Sequence, residues 1–170
     1  MRNTGRYRRP NSLLAPISRS GLEIREISAE ETYPVRRPVL RPGRPAKECI
    51  FNGDEGPDTI HLGAFITDRV VAVASYMHQK NPLFEAPVQY QLRGMAVLED
   101  FQKQGLGQQL LKTGEKILKD RFINPLLWFN ARETAIEFYK KFGYQTRGQI
   151  FMIPNVCPHI VMFRQLNPQK

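Results

Sequence analysis

Polar and apolar positions alternate along Leu22-Glu23-Ile24-Arg25-Glu26-Ile27, the pattern of a strand with one buried face. Ser28 follows, with Glu31 three residues on, so a capping box should open a helix there. Pro34 and Pro38 should limit how regular that helix is. Arg41-Pro42-Gly43-Arg44-Pro45 and residues 52–58 are turn-rich loops. Ile60 to Thr67 and Val70 to His78 read as a hairpin turning around Asp68-Arg69, and a further strand is expected over 88–97. Leu106, Leu110, Gly114, Ile117 and Leu118 then fall at helical spacing, predicting a helix to about Arg121. The continuous apolar run from Pro125 to Phe129 reads as a buried strand. Asn130 with Glu133 has capping-box spacing again, and Ala135, Phe138, Tyr139 and Phe142 would form one apolar face of a helix that Gly143 ends. Tyr144 to Phe151 and His159 to Leu166 complete the chain as strands. The order β-α-β-β-β-α-β-α-β-β predicts an α/β fold, a mixed α+β sheet with helices on its faces.

Composition narrows this picture. With 170 residues the chain is long enough for one domain with its own core. No apolar run approaches the roughly 20 residues of a membrane span. Cys49 and Cys157 stand far apart without ligand-spaced partners, so neither a disulfide framework nor a metal is expected, and a reduced cytoplasm suits the chain. Net charge is +9, and Arg2, Arg6, Arg8, Arg9 and Arg19 concentrate it in the first 21 residues. Residues 1–21 are expected to be a basic, disordered extension, with a single domain over 22–170. A basic head also raises nucleic acid or a transit peptide, but no aromatic-basic interleaving or nucleic-acid motif accompanies it.

The turn before the second long helix carries the chemistry. Residues 102–107 read Gln-Lys-Gln-Gly-Leu-Gly, between a strand pattern and a helix pattern. Such a turn presents unpaired backbone N–H groups and the positive end of a helix dipole, a site for phosphate or pyrophosphate. Gly105 and Gly107 would let the backbone approach the ligand. A dinucleotide fingerprint needs a third glycine, and a P-loop needs Gly-Lys-Ser/Thr; Gly107 is followed by Gln108-Gln109.

This turn, in this element order, resembles the acetyl-coenzyme A pyrophosphate loop of the GNAT N-acetyltransferases. Further blocks are similar to the bacterial glyphosate N-acetyltransferase group: Leu40-Arg41-Pro42, His61-Leu62-Gly63, Tyr90-Gln91-Leu92-Arg93-Gly94-Met95-Ala96, Leu127-Trp128, Asn130-Ala131-Arg132, Tyr139-Lys140-Lys141 and Pro158-His159-Ile160. The resemblance covers roughly Leu22 to Leu166 and excludes the basic head. It implies a base at His159, a general acid at Tyr139, and anion-binding arginines at Arg41, Arg93 and Arg132. It also implies cosubstrate contacts at Met95, Ala96, Val97 and Asn130, and at Gln102, Lys103, Gln104, Gly105, Leu106 and Gly107.

Those residue types suit acetyl transfer to an amine. The amine must be neutral to attack, and histidine can take its proton near neutral pH. A backbone N–H, here that of Met95 by resemblance, can stabilise an oxyanion. A phenol can protonate the leaving thiolate. Arginine binds carboxylates and phosphonates bidentately, so three of them point to a small anionic amine. Read residue by residue, plainer roles are open: Tyr139 could be packing, His159 an ordinary histidine, and Arg41 a solvated charge. Arg93 on an apolar strand would be costly unpaired, and Arg132 in a first helical turn opposes the helix dipole. The expected protein is thus a cytoplasmic, acetyl-coenzyme A-dependent N-acetyltransferase, monomeric or homodimeric, binding neither membrane nor nucleic acid. The alternatives are a family member acting on a protein N-terminus or another amine such as a polyamine, and a basic nucleic-acid-binding protein.

Overall fold

The computed structural model describes residues 21–167. The expectation of a disordered head therefore concerns residues that, Gly21 apart, lie outside the described range. Seven strands form one sheet in the order β1-β2-β3-β4-β5-β7-β6. They are β1 (Leu22–Ile27), β2 (Ile60–Ile66), β3 (Arg69–His78), β4 (Gln89–Val97), β5 (Leu126–Arg132), β6 (Gln145–Met152) and β7 (Pro158–Gln165). Neighbours are antiparallel except β4 and β5. The helices are α1 (Ala29–Leu40), α2 (Leu106–Arg121) and the short α3 (Ile136–Lys140).

The capping box at Ser28 forms as the spacing predicts. The Glu31 amide donates to Ser28 Oγ at 3.3 Å, and the Ser28 amide donates to Glu31 at 2.8 Å. The helix it opens runs through both prolines, contrary to expectation. Pro34 and Pro38 share the exposed face of α1, so the carbonyls they leave without an amide partner face water. The opposite stripe, Thr32, Val35 and Arg36, is buried on the sheet. The β2–β3 turn lies one residue earlier than expected. Thr67 and Asp68 both have positive φ, the conformation that a two-residue hairpin turn demands.

The main core lies between the sheet and α2. Tyr76, Tyr90, Leu92, Leu127 and Phe129 meet Leu106, Leu110, Leu111 and Leu118 there. Gly114 permits this approach: a Cβ on it would stand 2.0 Å from Tyr76 Cζ. The Tyr76 hydroxyl donates to the Leu110 carbonyl at 2.9 Å beside it. Glu115, one residue on, is buried; it accepts from the Tyr144 hydroxyl at 2.7 Å and pairs with Arg164 at 3.2 Å. That cluster fixes α2 to the C-terminal strands. The other sheet face is covered by α1 over Val73 and Ala96, and by Phe84 over Trp128 and Phe163.

The second capping box does not form. Asn130, Ala131 and Arg132 continue β5, in register with Val161, Ile160 and His159 of β7. Sheet pairing over these residues outcompetes a local cap that satisfies one or two amides. Arg132 is accordingly the last residue of a strand, where a first helical turn was expected. A 3-10 turn over Glu133–Ala135 precedes α3. The helix ends as its glycine predicts. Gly143 has φ +82, its amide bonds Lys140 O, and Tyr144 bonds back to Tyr139 O, a Schellman closure.

Candidate active site

Two irregularities in β4 shape the site. The first is its parting from β5. The two parallel strands pair only over Gln89–Gln91 and Leu126–Trp128, and beyond these residues they carry no further register partners. The second is a bulge. Between the pairs Ser75↔Arg93 and Val73↔Ala96, β4 uses one residue more than β3, and Gly94 has φ +59. The strand therefore leaves its neighbour and twists at the same place, opening a V whose walls are residues 92–97 and 129–132.

The N-terminus of α2 lies just after β4. Lys103 and Gly105 are both left-handed, at φ +60 and +82. No side chain caps the helix and its first turn contains no acid. A Cβ on Gly105 would meet nothing within 4 Å, so the space in front of this turn is open. The Gln102 amide nitrogen donates to Val97 O at 3.0 Å and ties the loop to the end of β4. Free helix amides, open space and the exposed Lys103 fit a diphosphate group.

Arg41 and Arg93 converge on one aromatic ring. Their guanidinium carbons lie 5.6 and 5.0 Å from the centroid of Phe51, and that of Arg36 lies 4.3 Å from it. Arg36 is fully buried; both of its terminal nitrogens are bonded, while Nε meets no partner among the described residues. It makes a two-pronged pair with Asp54 at 2.7 and 3.0 Å, and also bonds Cys49 O and Ser75 Oγ. Arg41 and Arg93 are only half-buried, and among the described residues neither meets a carboxylate. Burial pushes the Arg93 pKa down; the nearby Asp54 opposes this, and Arg36 and Arg41 add to it. Arg93 also lines a cavity of ≈150 Å³ with Asn52, Gly53, Met77 and Gln91.

His159 and Arg132 are register partners across β7 and β5. His159 is buried, with Nδ1 at 2.6 Å from the Cys157 carbonyl oxygen. A carbonyl can only accept, so Nδ1 carries the proton and Nε2 keeps a lone pair. Arg132 is exposed, and among the described residues it meets no carboxylate. Tyr139 belongs to the opposite sheet face, in α3, with its ring 4.4 Å from Phe129 of β5. Burial pushes its phenol up to about 12, so it is protonated at neutral pH.

Residues 22–144 match the sequence profile of the Acetyltransferase (GNAT) family. The chain belongs to that family. The uncharacterized N-acetyltransferase YitI of Bacillus subtilis (strain 168) is 35% identical over 149 residues, covering 88% of this chain and 99% of that protein. Among solved structures, Escherichia coli ElaA superposes with a TM-score of 0.69 at 20% identity, over 85% of this chain and 99% of that one. An aminoglycoside 6'-N-acetyltransferase complexed with coenzyme A superposes with a TM-score of 0.66 at 18% identity, over 87% and 99% of the two chains. Likeness at such identity is a likeness of fold, a mixed seven-stranded sheet flanked by helices. The protein is thus an acetyl-coenzyme A-dependent GNAT N-acetyltransferase.

In this GNAT chain the structure brings Arg41 together with Arg93, and Arg132 together with His159; Tyr139 lies on the other face of the sheet, against Phe129 in one wall of the V. The buried group formed by Arg36, Asp54, Ser75 and His61 was not anticipated. His61 Nδ1 lies 2.7 Å from Ser75 Oγ, and Nε2 lies 2.9 Å from Asp54 O. A signal did exist: Arg36 lies four residues after Thr32 and beside Val35 on the inner stripe of α1, where a cation requires an acid.

Proposed function

We propose that this enzyme acetylates the amine of a small acceptor bearing a carboxylate or phosphonate, as the resemblance to the glyphosate N-acetyltransferase group implies. One observation carries the reading. Two half-buried guanidiniums, Arg41 and Arg93, converge on the Phe51 ring and form no ion pair with a carboxylate among the described residues, and Arg93 also lines a small cavity. Burying an unpaired charge is costly, and an acidic acceptor offsets that cost. Arg132 supplies a third cation across the V. A polyamine acceptor would be repelled by the same residues.

The bound cosubstrate supplies the electrophilic acetyl thioester. The uncapped turn at residues 102–107 holds its diphosphate through backbone amides, aided by Lys103. Met95, Ala96, Val97 and Asn130 line its path along the V. The Met95 amide, at the β4 bulge, is the donor for the acyl oxygen as negative charge develops there. His159 Nε2 accepts the proton of the acceptor amine. Tyr139, protonated, donates to the departing sulfur. The domain runs over 22–170, with residues 1–21 as a basic extension, and the protein works in the cytoplasm as a monomer or homodimer.

An amine panel tests the reading, with release of free thiol from acetyl-coenzyme A as the signal. Amino acids and aminophosphonates should exceed neutral amines and polyamines in kcat/KM. Better turnover of the neutral or cationic amines by the unaltered enzyme would sink it.

A further inference from the structure

The group around Phe51 does more than fill space. Asp54 is the carboxylate whose charge acts on Arg93, and that charge is already committed. Arg36 grips both its oxygens, and Asp54 Oδ2 also accepts the Phe51 backbone N–H at 2.8 Å. Arg36 in turn bonds Cys49 O at 3.0 Å and Ser75 Oγ at 2.7 Å, and His61 bridges Ser75 to Asp54 O. The segment 49–54 is thereby clamped to α1, β2 and β3 by buried bonds. Its outward product is one neutral ring with Arg41 and Arg93 within cation–π reach.

A ring and a carboxylate would act differently in that place. A carboxylate would hold the two guanidiniums and neutralise them. The ring attracts cations through its quadrupole and leaves their charge available. An aliphatic side chain would do neither, and two like charges without a counter-ion would separate into water. Packing reinforces the arrangement: a Cβ on Gly94 of the β4 bulge would come within 2.8 Å of the Phe51 ring and 3.0 Å of Arg36 Nε. The strand therefore lies directly on the ring.

We infer that Phe51 is a positioning residue for acceptor recognition: held by the Asp54–Arg36 clamp, its ring sets Arg41 and Arg93 in one geometry, as a pre-formed two-guanidinium site for an anion. This rests on the acidic-acceptor reading and adds a residue that need not touch the acceptor's reacting atoms.

Phosphonoacetate, an anion with no amine, serves as the probe. Its dissociation constant is measured by calorimetry on the full chain for wild type, Phe51→Leu, Phe51→Tyr and Arg93→Ala, with acetyl-coenzyme A affinity measured alongside. Phe51→Leu should weaken phosphonoacetate roughly tenfold and leave acetyl-coenzyme A within twofold, while Phe51→Tyr should restore the wild-type value. Arg93→Ala should weaken the probe at least as much. If Arg93→Ala weakens the probe and Phe51→Leu does not, the inference fails and the acidic-acceptor reading stands. If Phe51→Leu weakens both ligands equally, the effect is one of folding and the inference also fails. If wild type does not bind the probe, or Arg93→Ala binds it unchanged, the acidic-acceptor reading falls and takes the inference with it.

Discussion

At the scale of single residues, protonation states decide what the site can do. Tyr139 has its phenol pushed up by burial to about 12, above the ordinary 10.0. The neutral acid is thus the form present across the working pH range, and deprotonation sets in only as pH rises towards 12. An alkaline limb in kcat with an apparent pKa below 10 would therefore report a group other than Tyr139. Tyr139→Phe keeps the ring against Phe129 and removes only the hydroxyl group. It should lower kcat about 100- to 10,000-fold at saturating substrate, with acetyl-coenzyme A affinity and melting temperature nearly unchanged. A kcat within twofold of wild type, with chemistry rate-limiting, would leave Tyr139 as packing alone. His159 is set differently. Its Nδ1 is committed to the Cys157 carbonyl, so Nε2 is the atom able to take a proton. His159→Ala should lower kcat/KM, and His159→Gln, which lacks a basic nitrogen, should behave likewise; a kcat/KM near wild type in both variants would reassign the base. For the arginines the effect belongs in binding. Changing Arg41, Arg93 or Arg132 to Ala should raise KM for an acidic amine, each by about 1.5–3 kcal/mol, and spare neutral amines.

At the scale of elements, the glycine that precedes α2 and a glycine inside it do opposite jobs, and substitution separates them. Gly105 faces open space at φ +82, so a side chain there costs backbone strain and obstructs the ligand. Gly105→Val should weaken acetyl-coenzyme A in a calorimetric titration, with a stability loss of only about 1–2 kcal/mol. Gly114 is buried against Tyr76, and even one methyl must displace the ring. Gly114→Ala should cost about 1–3 kcal/mol, or roughly 2–12 °C in melting temperature. If Gly105→Val proved the less stable of the two, with full cosubstrate affinity, the assignment of the turn would be wrong. The same contrast explains what could be read in the chain. β1, α1 and α2 announce themselves because a local pattern agrees with the packing, joined in α1 by the Ser28 cap. Asn130 and Glu133 misled because a strand pairing of Asn130 with Val161, some 30 residues away in sequence, overrode a local cap, and nothing near Asn130 encodes that partner. Pro34 and Pro38 misled in the other direction, since the face on which they fall is visible only once Thr32, Val35 and Arg36 are buried. The identities of Arg41, Arg93 and His159 came through the resemblance. Their gathering on Phe51 and beside Cys157 depends on loops, where sequence pattern carries little register.

At the scale of the molecule, the sheet is two walls joined along a short seam. One wall is β1–β4 and the other β5–β7. Their shared register is Gln89–Gln91 against Leu126–Trp128, reinforced by Glu115 of α2 reaching Tyr144 and Arg164. Such a V has unpaired strand edges facing each other, and a ligand lying between them supplies partners to both. Binding should then stabilise the whole domain, because only the folded state presents both walls. At a ligand concentration 100 times its dissociation constant the gain is about 2.7 kcal/mol, or roughly 5–11 °C for a chain of this size. Hydrogen exchange should locate the effect. Coenzyme A should protect backbone amides over residues 94–97 of β4 and 129–132 of β5 together, as well as the first turn of α2. Adenosine diphosphate, which can fill only the turn, should protect α2 and leave the walls exchanging as before. Protection by coenzyme A confined to residues 103–108 would mean that its acyl-bearing arm does not lie in the V, and the placing of the reaction between Met95 and Asn130 would have to be abandoned.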